Sequence, residues 1–157
     1  MIQILPCSDS LPGYETHKET IAHWLYSEFI HNIRPGITFQ DVLNRFTNPV
    51  PGTFPARFSA MDGSQCVGTA SLVQNDLSFR DYSPWLASLF VDPKRRNEGI
   101  GRLLIEKVKE TTWEMGYDTL YLRTEFAGAY YRKLGWIFVE QCADEFGLEP
   151  EVYRWVK

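Results

Sequence analysis

"WLASLFVDPKRRNEGIGRLLIE" fills residues 85–106, and its middle decides how the chain is read. An apolar run from Trp85 to Val91 stops at Asp92-Pro93, and an apolar-periodic segment begins at Ile100. Lys94, Arg95 and Arg96 lie between them, followed by Gly99 and Gly101, with Arg102 just beyond. A helix ordinarily opens on a Ser, Thr, Asp or Asn side chain that takes up its first free N–H groups. Here Gly99 stands in that place. Glycine lets a second molecule come close to the backbone. The free N–H groups and the positive end of the helix dipole then suit a phosphate. Read this way, a ligand pyrophosphate caps the helix in place of a side chain. The plain alternative is a flexible turn beside a solvated basic run. Two other phosphate motifs fail on spacing: no G-x-x-x-x-G-K-[ST] is present, and Leu104 stands where a dinucleotide fingerprint needs its third glycine.

Outward from this unit, residues 100–115 put Ile100, Leu103, Leu104, Val108, Thr111 and Met115 in one helical stripe, closed by Gly116. "PWLASLFV" is apolar at nearly every position, which predicts a central strand covered on both faces. Upstream, "TFPARFSAMDGSQCVGTASLVQ" reads as two strands around a turn at Asp62-Gly63. Ile2 to Leu5 alternate and stop at Pro6, a short first strand. "YETHKETIAHWLYSEFIH" carries Ile21, Trp24, Leu25 and Phe29 at helical spacing and breaks between Asn32 and Gly36. Thr38 caps a second, short helix with Asp41 three residues on. Downstream come a strand in "DTLYLRT", a short helix in "AGAYYRKL" closed by Gly135, a strand in "WIFVEQ" and a last one in "VYRWV". The order is β-α-α-β-β-β-α-β-α-β-β. Hairpins in the first half and strand–helix–strand crossings in the second predict an α/β (mixed α+β) fold with helices on the faces of a mixed sheet. With no repeat or linker, residues 1–157 read as a single domain.

Composition narrows the classes. A chain of 157 residues that is 44% hydrophobic and 15% aromatic is long enough to bury a core. No apolar stretch approaches the ~20 residues a membrane helix needs, and "MIQILPCSDS" lacks the basic start and apolar run of a secretory signal. Cys7, Cys66 and Cys142 are too few and too scattered for a disulfide frame or zinc site, which suits a cytoplasmic protein. The net charge of −4 argues against a nucleic-acid binder. His17 and His31 share a helical azimuth, but at ~1.5 Å rise per residue they stand too far apart for one metal, and His23 lies off their face. No metal site is expected. Ser88 lacks the glycine elbow of a serine nucleophile.

"LFVDPKRRNEGIGRLLIE" resembles the acetyl-CoA-binding segment of the GNAT acetyltransferase superfamily. Its [QR]-x-x-G-x-[GA] pattern is matched by Arg96, Gly99 and Gly101, after Val91 and Pro93 at the strand end. "AYYRKLGWIFVE" is similar to the family's second motif, A-x-[FY]-Y-x-x-x-G-[FY], filled by Tyr130, Tyr131, Gly135 and Trp136. The strand–helix order agrees over nearly the whole chain. The resemblance implies a GNAT-like fold with a mostly antiparallel sheet of about seven strands. It implies that the strand holding Leu89, Phe90 and Val91 splays from the strand at 118–124, with pantetheine between them. It further implies pyrophosphate contacts from the main chain of Arg96, Asn97, Glu98, Gly99, Ile100, Gly101 and Arg102. Two departures stand out: "TEFAG" occupies the place where many members carry an Asn, and "WLASLFV" lacks the Glu that many relatives have on the splayed strand.

The activity so implied is acetyl transfer from acetyl-CoA to a primary amine of a small molecule or peptide by direct attack. No metal, nucleic acid or membrane takes part, and a homodimer is left open. A thiol has a pKa of about 8.5 and a tyrosine of about 10, so Tyr131, at the family's catalytic position, suits the acid that protonates the departing thiolate. Tyr130 reads as packing. A backbone N–H near Leu89 or Phe90 would meet the oxyanion. For the base, Asp81, Glu125 and Glu28 are candidates. Trp24, Tyr26 and Phe29 with Glu28 would make an aromatic, partly acidic wall for a cationic amine. The competing reading is a catalytically idle GNAT-like module that binds acyl-CoA.

Overall fold

The short first strand, β1 (Ile2–Pro6), lies antiparallel to β2 (Ala56–Asp62), and β2 turns through Gly63 into β3 (Gln65–Val73). In this computed structural model, which describes residues 1–157, β4 (Trp85–Val91) continues the antiparallel run beside β3. β5 (Thr119–Thr124), β6 (Ile137–Gln141) and β7 (Glu151–Val156) complete a seven-stranded sheet ordered β1-β2-β3-β4-β5-β7-β6. β7 inserts between β5 and β6 and is antiparallel to both, so β4 and β5 form the one parallel pair. This is the mixed sheet that the order of elements predicts, in the mostly antiparallel form of about seven strands that the resemblance implies.

Helices cover both faces. α1 (Tyr14–Leu25) and α2 (Phe39–Leu43) pack on one face, where Ile21, Ala22, Leu25 and Val42 join Cys7, Met61, Cys66 and Phe90 in a buried cluster. α3 (Ile100–Glu114) and α4 (Gly128–Lys133) serve the other, where Ile100, Leu104, Val108 and Tyr131 meet Phe58, Ala70, Leu86, Leu120 and Tyr153. Thr38 caps α2 as its sequence predicts: the hydroxyl accepts from Asp41 N–H, and the Asp41 carboxylate accepts from Thr38 N–H. α1 runs on as a π-helical turn, Tyr26–Ile30, closed by His31 N–H to Tyr26 O and followed by Asn32 at φ 62°.

Two details depart from the periodicity. The buried stripe of α3 is Ile100, Leu104, Ile105, Val108, Lys109 and Thr112, while Leu103 is 45% exposed and Thr111 and Met115 are only partly covered. Lys109 takes a buried place in that stripe: its ammonium sits 3.3 Å from the centre of the Trp155 ring and bonds Glu106 at 3.0 Å. A hydropathy count scores that residue as outward, although its alkyl stem covers apolar surface and its charge has a partner.

The second departure is in β4, where Ala87 to Leu89 and Val91 are half-covered rather than buried on both faces. Thr69 pairs with Phe90 and Ser71 with Ala87, so Ser88 and Leu89 together oppose Ala70. Ser88, at φ 55°, is the extra residue of a β-bulge. The bulge reverses the alternation of side chains. Leu86 and, past the bulge, Leu89 and Val91 therefore share one face, and Phe90 faces the other.

Candidate active site

β4 and β5 pair only at Trp85 and Tyr121, and beyond that point they diverge. From Leu86 to Val91 the β5-side edge of β4 thus has no neighbouring strand. The gap opens into a cleft of about 1050 Å³ lined by β4, the start of α3, the end of β5, α4 and the loops opposite. Leu89, Phe90, Val91, Arg96, Asn97, Gly99, Ile100, Gly101, Arg102, Glu125 and Tyr131, all singled out in the sequence, line this one cleft. Glu98 stands beside it in an ion pair with Arg95.

At the α3 end, the exit from β4 is built by local chemistry. The Asp92 carboxylate accepts from Lys94 N–H and caps a single 3-10 turn, Pro93–Arg95. Asn97 and Gly99 both adopt positive φ, 66° and 81°, and this double reversal aims the chain into α3. No side chain caps α3, and its first backbone hydrogen bond runs from Leu103 N–H to Gly99 O. The N–H groups of Ile100, Gly101 and Arg102 therefore point out of the helix start. A Cβ on Gly101 would sit 3.7 Å from both Val91 and the Tyr130 hydroxyl, on the cleft side. The basic run is divided in its tasks. Arg95 is tied to Asp62 and Glu98, each at 2.9 Å. Arg96 lies over the Phe90 ring and bonds Val91 O, Arg102 lines the cleft, and Lys94 faces solvent outside it.

Tyr131 reaches the cleft from α4. Gly128 lets that helix sit directly on β7, since a Cβ there would lie 2.6 Å from both the Tyr153 hydroxyl and Glu151 Oε1. Arg132 then donates to the Tyr153 hydroxyl at 2.9 Å, which donates to Glu151 at 3.0 Å. At the turn into α4, within the "TEFAG" stretch, the Thr124 hydroxyl accepts from Ala127 N–H. The Tyr131 ring is 9% exposed, edge-on to Tyr130 and Trp136, and its hydroxyl bonds no protein group. Burial, with Tyr130 beside it, pushes the phenol well above its ordinary pKa. Tyr130 is 45% exposed, so it lines the cleft rather than filling the core expected of it.

The opposite end of the cleft is made of side chains from three segments. Glu28 and Phe29 come from the π-helical turn, Arg34 follows it, Asp76 and Ser78 come from the β3–β4 loop, and Glu145 and Phe146 follow β6. Asp81 is not among them. It is exposed on the far part of the β3–β4 loop, away from the cleft wall, so proximity to β4 in sequence misplaced it. The carboxylate that the same loop does bring in is Asp76, which sequence reasoning missed. Arg123 Nε lies 3.3 Å from Asp76, and its Nη1 lies 3.3 Å from the fully buried Asp144. Burial raises Asp76 to a pKa of about 6, against the opposing pull of Arg123 and Arg34, with Glu125 and Glu145 adding to the rise. The only sequence signal was Arg123 itself, a charged residue in an otherwise apolar strand pattern.

A clamp outside the cleft holds this loop in place. Arg80 grips Glu140 of β6 through Nε at 2.8 Å and Nη2 at 2.6 Å, and the Tyr82 hydroxyl donates to the same carboxylate at 2.6 Å. These bonds hold Glu140 down to a pKa of about 2. No group of three or more His, Cys, Asp or Glu is gathered as a metal would need, and no helix is long and apolar enough to cross a membrane.

Residues 56–137 match the model of the acetyltransferase (GNAT) domain family. The fold is shared with an acetyltransferase of the GNAT family from Staphylococcus aureus Mu50, at TM-score 0.63 and 20% identity over 98% of each chain. An aminoglycoside 6'-N-acetyltransferase complexed with coenzyme A superposes at TM-score 0.73 and 16% identity, over 99% of this chain and 96% of that one. YncA from Salmonella typhimurium, solved with its cofactor acetyl-CoA, gives TM-score 0.69 and 15% identity, over 99% and 94%. At these identities the likeness is one of fold. No sequence among the curated proteins matches significantly.

Proposed function

The chain belongs to the GNAT acetyltransferase family, and from that premise we propose that it transfers an acetyl group from acetyl-CoA to a primary amine of a small molecule or peptide. One observation carries the reading. The splayed β4–β5 gap, the uncapped start of α3 and the unbonded Tyr131 hydroxyl all border one continuous cleft. In this reading the pyrophosphate lies on the N–H groups at 100–102, and the pantetheine arm adds to the open edge of β4 as a further strand would. The thioester then reaches the bulge at Ser88-Leu89, where a backbone N–H next to the bulge meets the oxyanion. The solved relatives described with coenzyme A or acetyl-CoA support the choice of donor. Three unpaired thiols, Cys7, Cys66 and Cys142, suit a cytoplasmic setting.

Tyr131 is the acid in this scheme. Its raised pKa keeps it protonated at any working pH. Acceptor amines enter from the end lined by Glu28, Phe29, Asp76, Glu125 and Phe146.

The test is a thiol-release assay with acetyl-CoA against a panel of polyamines, aminoglycosides and peptides with free N-termini. Turnover of at least one amine, with stoichiometric CoA and N-acetyl product, is expected. Tight CoA binding without turnover of any amine would favour the idle acyl-CoA-binding module.

A further inference from the structure

β4 offers no carboxylate to deprotonate the acceptor, so a base must come from elsewhere on the cleft wall. Glu28, Glu125 and Glu145 border the acceptor end, but none has a hydrogen-bond or ion-pair partner that fixes it there. Asp76 is different in kind. Its carboxylate meets Arg123, a cation set in β5 with only 8% of its side chain exposed. Arg123 is in turn held by Asp144, whose Oδ2 it meets and whose Oδ1 accepts the N–H groups of Phe146 and Leu148. The guanidinium is thus pinned from behind, and 30% of the Asp76 side chain stays open to the cleft.

We propose that Asp76, positioned by Arg123 and Asp144, is the general base that takes a proton from the acceptor's ammonium group. The proposal rests on the acetyltransferase reading above. In the step, one proton passes from R–NH3⁺ to the Asp76 carboxylate, and the freed lone pair forms the C–N bond at the thioester carbonyl. The C–S bond breaks with its electron pair on sulfur, which receives the Tyr131 proton. The tyrosinate recovers a proton from the acylated nitrogen, and Asp76 returns its own to solvent. The products are amide, thiol and one proton.

The groups facing Asp76 set its working range. Arg123 from β5 and Arg34 from the segment after the π-helical turn favour the carboxylate, while Glu125, Glu145 and burial favour the acid, with a balance at a pKa of about 6. A base acts only when deprotonated, so kcat/KM for the acceptor should fall as pH drops through that value.

The experiment is the pH profile of kcat/KM for wild type, Asp76→Asn, Asp76→Glu and Glu125→Gln, with CoA affinity measured by calorimetry. Asp76→Asn should lose at least ~100-fold at neutral pH and lose the acidic limb, with CoA affinity unchanged. Asp76→Glu should recover part of the rate with a displaced limb, and Glu125→Gln should retain a limb, moved to lower pH because the Glu125 charge helps raise Asp76. An Asp76→Asn enzyme that retains the wild-type rate or limb, while wild type turns over, overturns the base assignment alone. A wild type that turns over no amine overturns the acetyltransferase reading, and this proposal with it. A direct readout is carbon-13 NMR of labelled aspartate: a carboxyl titrating near 6 and missing from Asp76→Asn is expected. An Asp76 carboxyl that titrates at its ordinary 3.8 while the kinetic limb stays near 6 assigns that limb to another group and overturns the proposal.

Discussion

At the α3 end of the cleft the free donors are main-chain N–H groups at the helix start, on the continuous segment Asp92 to Arg102. At the other end the lining is side chains from three separated segments, two of them tied together through Arg123, Asp76 and Asp144. The first end needs glycine and a helix start, and its geometry is set within about one turn of chain. The second end needs charges held against burial, and its geometry depends on where three loops are docked. A site of the first kind tolerates changes of side chain that spare the backbone. A site of the second kind is sensitive to contacts far from the substrate.

Four substitutions sharpen this contrast. The largest effect belongs to Tyr131, between the two ends. If its hydroxyl protonates the thiolate, Tyr131→Phe should lower kcat by at least ~100-fold with little change in KM for acetyl-CoA. The ring packing survives in that variant, so the melting temperature should hold. Tyr130→Phe is the control and should keep most of its activity. Near-normal kcat in Tyr131→Phe refutes the assignment.

Next comes the backbone end. Gly101 has an ordinary φ and ordinary space for a Cβ, whereas Gly99 at φ 81° would be strained by any side chain. Gly101→Val therefore tests ligand approach without a positive-φ penalty. CoA affinity should fall tenfold or more, about 1.4 kcal/mol, with the fold intact by circular dichroism. Unchanged affinity in calorimetry removes the pyrophosphate from this loop.

The clamp behind the side-chain end is third. Glu140 is held ionised by Arg80 and Tyr82, so its folded-state pKa of about 2 lies below the unfolded 4.5. A depressed carboxylate stabilises the fold above the unfolded pKa, and that contribution is lost as pH falls through the folded one. Glu140→Gln should lower the melting temperature by about 2–4 °C at neutral pH. The difference should shrink below pH 4.5 and vanish near pH 2. Because the clamp holds the loop that carries Asp76, KM for the acceptor should rise while CoA affinity stays put. A melting difference that persists at pH 2 contradicts the ion-pair account.

The smallest effect tests the division of the basic run. Lys94 is exposed and off the cleft wall, so Lys94→Glu should change CoA affinity less than twofold at physiological salt. A tenfold loss would mean that this lysine, and not the backbone alone, meets the phosphates.

The sequence was most legible where a requirement is local. Asp62-Gly63, the Thr38–Asp41 capping box, Gly99 and the tyrosine helix each announce themselves within a few residues, because turn geometry and caps act over that range. The stripe on α3 was less so. Its true face includes Lys109, and a charged residue scores as buried only once Trp155 and Glu106 are known to surround it. Asp81 and Asp76 show the same limit: both lie in the β3–β4 loop, and nothing in their neighbours says which one the loop turns toward the cleft.

What the sequence by itself determined is the order of elements, the family and the glycine-rich segment that frames one end of the cleft, since each depends on residue types at short spacing. Only the tertiary structure decided that β4 bulges at Ser88, that Tyr130 lines the cleft, and that Arg123 stands between Asp76 and Asp144. The physical reason is that the free energy of a buried charge, or of an extra residue in a strand, is set by partners distant in the chain.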